Sequence, residues 1–132
     1  MRRILPLFLL AALSAAAPPS RPERPVMVGG VPDLDACLSN GQVTGLNPRG
    51  DNFLSVRSRP SARARELGRL RGGQVVWACD ETADGSWTGV VFSPPGRDLD
   101  CGVGTPAPRH QVYRGPCASG WVSSRFLKII AG

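Results

Sequence analysis

The chain is poor in the residues that most often carry catalysis. It has one histidine, His110, one tyrosine, Tyr113, and one lysine, Lys128, in 132 residues. A Cys/His or Ser/His/Asp arrangement would have to use His110, which stands in a proline-rich stretch. No EF-hand loop and no phosphate-binding glycine motif occurs. The acidic pairs Asp33/Asp35 and Asp98/Asp100 have the ordinary reading of solvated loop carboxylates. The four cysteines are widely spaced, with no C-x₂-C pair, which argues against a four-thiolate zinc site. There is no heptad, no internal repeat and no room for a separate catalytic domain. Neither an enzyme, nor a metal, nor a cofactor is expected.

A membrane-length apolar run is missing as well. Ile4 to Leu13 is apolar, but even with the small residues through Ala17 the stretch of about 14 residues falls short of the ~20 that span a bilayer. Arg2 and Arg3 precede it, and the small residues Ser14, Ala15, Ala16 and Ala17 follow. This layout predicts a secretory signal peptide over residues 1–16, cut after Ala16. No cysteine lies near that point to carry a lipid anchor. The expected product is periplasmic or secreted, with no stable membrane span. Losing Arg2 and Arg3 leaves fourteen basic residues against ten acidic ones, a charge of +4. Such a charge favours solubility and permits attraction to anionic envelope polymers. Export disfavours nucleic acid as a partner.

What is present suits that compartment. Cys37, Cys79, Cys101 and Cys117 make an even count in a small exported chain, which predicts two disulfides in one of three connectivities. Ala17 to Leu34 holds five prolines, and residues 17–36 read as an extended linker because proline has no amide to donate. From Cys37 onward the pattern is all-β. Strands are expected at Gln42–Leu46, Phe53–Arg57, Glu66–Leu70, Gln74–Cys79, Trp87–Phe92 and Gly120–Val122. One helical turn at Ser123–Arg125 precedes a closing strand, Phe126–Ile130. In the first alternating run Leu54 and Val56 share one face, with Ser55 and Arg57 on the other.

Several phrases in order carry a resemblance. Leu54, Val56, Arg57, Pro60 and Ser61 come first, then Gly73 with Val76 and Ala78, then Gly85-Ser86-Trp87. Gly120-Trp121-Val122 and Phe126-Leu127 close the series. Together they resemble a bacterial Src-homology-3-like (SH3b) module, over the stretch Phe53 to Ile130. Ser55 stands where the family usually has Asn, and Arg59 where it has Gly before the proline. The resemblance implies a small SH3-like β-barrel spanning residues 37–132, with a long insertion, 92–119, before the closing strands.

That insertion holds five prolines and four glycines, with Arg109, His110, Tyr113 and Arg114 among them. Cys101 and Cys117 bracket its outer part, so a bridge between them would close a compact loop. If Val76 and Ala78 face the core, Val75, Trp77 and Cys79 face the other side, and Trp77 there needs cover. A segment tethered at Cys37 supplies it, so the expected pairing is Cys37–Cys79 with Cys101–Cys117. The resemblance implies a binding module for peptide or peptidoglycan, with Trp87 and Tyr113 as the aromatics nearest the ligand. Arg57, Arg59, Arg109 and Arg114 are the candidate carboxylate or phosphate contacts. Arg57 and Arg59 belong to an arginine-rich run that continues through Arg63, Arg65, Arg69 and Arg71. Trp121 is expected to be structural. The alternative is an interaction or inhibitor protein whose stapled loop, 101–117, enters an envelope partner.

Overall fold

Apolar residues on both faces of three strands dictate how this chain packs. A computed structural model describes residues 6, 9–14 and 23–132. The expected signal peptide therefore lies mostly outside the described residues, and so does the first part of the expected linker, 17–22. Among the described residues no helix is long and apolar enough to cross a membrane. The secondary structure is all-β: β1 (Met27–Val28), β2 (Ser39–Val43), β3 (Leu54–Arg57), β4 (Glu66–Leu70), β5 (Val75–Glu81), β6 (Trp87–Phe92), β7 (Gln111–Val112), β8 (Ala118–Ser123) and β9 (Leu127–Ala131). A single 3₁₀ turn, Ser124–Phe126, joins the last two.

Seven strands form one antiparallel sheet in the order β4-β3-β8-β6-β5-β2-β9, while β1 and β7 pair separately. The large sheet is open, since its edge strands β4 and β9 are not paired with each other. It is nonetheless curled. Leu70 from one edge and Leu127 from the other pack into a single cluster with Val43, Leu54, Val56, Val76, Val90, Phe92 and Val122. Complete burial of an aliphatic side chain of this size stabilises by roughly 1.5–3 kcal/mol before entropy is counted.

A second cluster occupies the opposite face. Val91 of β6 and Trp121 of β8 point there, joined by Val26, Val28, Ala36, Cys37, Cys101 and Val103, with Trp77 packed alongside. Two segments supply the cover, the stretch before Cys37 and the insertion between β6 and β8. Residues 23–36 thus correct the expectation of a linker. Val26 and Val28 are buried, Met27 N–H donates to Asp80 Oδ2 at 3.0 Å, and Arg24 N–H donates to the Ser58 carbonyl at 3.1 Å. Proline does keep this segment out of the large sheet, but an extended chain can still bury alternate side chains and find other acceptors. The insertion is likewise ordered: Val103 is buried, and the Val103 and Thr105 carbonyls accept the Cys37 and Ala36 N–H groups.

The junction depends on a local irregularity in β5. Ala78 pairs with Val90 and Asp80 with Gly89, which leaves Cys79 bulged between them. The bulge puts Asp80 on the outer face, where it reaches Met27. Gly89 must lack a side chain there, because a Cβ would lie 2.8 Å from that of Asp80 and 3.1 Å from Val26 Cγ1. The first long strand also begins earlier than expected, at Ser39 rather than Gln42. Asn40 and Gly41 have little β propensity, but they lie between β5 and β9, and Gly41 leaves room for Leu127.

Both disulfides join the expected partners, Cys37–Cys79 and Cys101–Cys117. Two such bridges fit an oxidising extracellular compartment. They close loops of 42 and 16 residues, for which chain entropy suggests contributions of about 4 and about 3 kcal/mol. Urea unfolding is expected to show a larger loss of stability for the Cys37→Ser/Cys79→Ser variant than for Cys101→Ser/Cys117→Ser. Equal midpoints for both variants and the parent would rule out a structural role for either bridge.

Candidate functional site

Alternation along β3 places Phe53, Ser55 and Arg57 on the side opposite Val56, and this side forms one wall of a groove. The groove has a volume of about 370 Å³. Leu46, Asn47 and Asp51 from the turn after β2 line its lip, while Trp87, Ser123 and Phe126 come from β6, the end of β8 and the 3₁₀ turn. Three aromatic rings, Phe53, Trp87 and Phe126, thus meet in one cleft together with a single guanidinium and a single carboxylate.

The neighbourhood holds these groups in place. Trp87 N–H donates to Thr82 Oγ1 at 3.1 Å, and the Thr82 N–H donates to the Trp87 carbonyl at 3.0 Å. Asp84 organises that turn. It accepts the Ser86 hydroxyl at 2.7 Å, the Ser86 N–H at 3.1 Å and the Thr82 hydroxyl at 2.8 Å. These bonds, the Ser86 hydroxyl first, favour the ionised form and pull the Asp84 carboxyl down to about 2. On the facing wall Arg57 Nη1 donates to the Ala64 carbonyl at 3.1 Å. The Arg69 guanidinium lies 3.9 Å from the centroid of Phe53, and Arg125 lies 5.1 Å from that of Phe126. Glu66 accepts the Ser55 hydroxyl and the Arg69 N–H, and these two bonds lower its pKa.

Of the residues expected at a ligand, the groove brings together Trp87 and Arg57 and leaves out the other four. Arg59 is half-buried in the loop after β3, outside the lining. Arg109 and Arg114 are exposed on the insertion. Tyr113 packs in the outer cluster, where its hydroxyl donates to the Cys101 carbonyl at 2.8 Å and accepts the Cys117 N–H at 3.1 Å. It clamps the two ends of the disulfide loop. The arginine-rich run is partly engaged as well, since Arg65 pairs with Glu23 and Arg69 with Glu66.

Sequence reasoning missed Phe53, Phe126 and Asp51. The available signal for Phe53 was its shared face with Ser55 and Arg57. Asp100, considered as part of an acidic pair, instead accepts the Gly102 N–H at 2.9 Å within a loop turn. No protein-family model, curated protein or solved structure matches this chain.

A carboxyl with a depressed pKa stabilises the fold above its unfolded value, here 3.8, and that contribution disappears as pH falls through about 2. Acidification across this window should therefore loosen the 82–87 turn and move the Trp87 amide resonance in an NMR titration. In Asp84→Asn the step should vanish, and an unchanged Trp87 titration in that variant would show that another group causes it.

Proposed function

We propose that this chain is an exported, non-catalytic SH3-like module, periplasmic or secreted, that binds peptide or peptidoglycan in the cell envelope. The observation that carries this reading is the groove itself, with three rings and two opposite charges on a pre-ordered frame. Extended ligands are commonly held in aromatic-lined grooves, and ordering the frame in advance lowers the entropy cost of binding. The ordered SH3b-like phrases support the fold part of the proposal, as does a sheet curled around one cluster fed by both of its edges. The two disulfides support export.

A second reading rests on the stapled loop. Cys101–Cys117 and the Tyr113 clamp fix loop 101–117 in advance, which suits insertion into a partner protein. Val103, Ala107 and Tyr113 of the loop are spent on the outer cluster, so a partner would meet mainly exposed residues such as Arg109 and Arg114. Removing the loop would strip cover from Trp77, and its exposed arginines are therefore the safer positions to alter.

Co-sedimentation with purified peptidoglycan sacculi tests both readings at ~0.15 M salt, where weak surface attraction is screened. The oxidised chain should pellet with sacculi, and Trp87→Ala should weaken binding about tenfold, the loss of ~1.4 kcal/mol. An Arg109→Ala/Arg114→Ala variant should pellet like the parent. Pelleting that ignores Trp87 would remove the groove from the proposal, and no pelleting would leave the loop reading in front.

A further inference from the structure

The charges in the groove say more about its ligand than the rings do. Among the described residues Arg57 and Asp51 are the only charged ones that line it. Arg57 is half-buried and tethered through Nη1 to the Ala64 carbonyl, while Nη2 and Nε have no hydrogen-bond partner among the described residues. A guanidinium held by one nitrogen keeps a planar pair of donors that matches a carboxylate. Asp51 is exposed on the turn between β2 and β3, and its carboxylate accepts no hydrogen bond from the described residues. Phe53 and Phe126 each have an arginine beside the ring, whereas no guanidinium among the described residues lies over Trp87. Trp87 is thus the ring available to stack on a ligand.

We infer, resting on the binding reading above, that the ligand is a peptide with a free carboxylate and a nearby ammonium or amide donor, and not a polyanionic polymer. The carboxylate takes the open side of Arg57, the donor meets Asp51, and the aliphatic part between them lies on Trp87. A chain of closely spaced anions would place like charge against Asp51, which is unfavourable. This separates a stem-type peptide from phosphate-rich envelope polymers, although a basic surface attracts both.

The test compares native sacculi with sacculi whose free carboxyls have been converted to amides, with inorganic polyphosphate as competitor. Amidation should reduce binding at least tenfold, and polyphosphate at matched charge should not displace the chain. Arg57→Gln and Arg57→Lys should both lose at least tenfold, because lysine keeps the charge but lacks the two-pronged geometry. Arg71→Gln, at an exposed arginine outside the groove, should stay within twofold. Asp51→Asn lies away from both cores and should make polyphosphate an effective competitor, which checks the proposal even if the Arg57 variants fold poorly. Equal binding to native and amidated sacculi would overturn the inference and leave the binding reading standing. Full binding by Arg57→Lys, or displacement of the parent by polyphosphate, would overturn it too. Failure to pellet with native sacculi would sink the groove-binding reading and this inference together.

Discussion

The burial of Trp121 on the outer face of the sheet is the constraint around which the rest of the molecule is arranged. The ring is fully buried, its Nε1–H donates to the Arg24 carbonyl at 2.8 Å, and the Arg24 guanidinium lies 4.6 Å from its centroid. A buried indole needs both apolar cover and an acceptor for its N–H. The acceptor does not come from the strands beside it, and Val91 of β6 gives only part of the cover. A segment almost a hundred residues earlier in the chain supplies the acceptor and much of the cover, and the insertion completes it. A seven-stranded sheet with apolar residues on both faces cannot leave one of them wet, so the two added segments belong to the fold as much as the strands do.

Each device near this junction depends on another. The bulge at Cys79 brings Asp80 to the outer face, Gly89 makes room for it, and the Cys37–Cys79 bridge ties the covering segment to the same strand. The Tyr113 hydroxyl closes the insertion between Cys101 and Cys117. The value of the non-covalent contacts lies in acting on one chain already constrained by covalent links. The groove draws on the other cluster and on short-range order, with Asp84 holding the turn that presents Trp87. Cover and groove can therefore be altered separately, since they share few residues apart from Trp87, which lines one and packs against the other.

Much of the framework was legible beforehand. Glu66–Leu70 and Trp87–Phe92 form strands with the expected limits, because Gly72 and Gly73 end the first and continuous apolar residues mark the second. The disulfide pairs followed from alternation in β5 and from the bracketed loop. Ser39–Asn40–Gly41 was missed because its strand character comes from pairing with two neighbours and not from its residues. Residues 23–36 were missed because their prolines dominated the reading, although Val26 and Val28 alternate around Met27 as a half-buried strand does.

The sequence by itself determined the all-β class, the disulfide-bearing character and several strands, since each is written in composition or in local periodicity. Tertiary structure alone decided which segment covers the outer face, that Tyr113 is a clamp, and that Phe53, Trp87 and Phe126 share a groove with Arg57 and Asp51. Periodicity reports which side of a strand is apolar, a local property. It carries no information about which distant segment will meet that side, because that choice is made by packing across the whole chain.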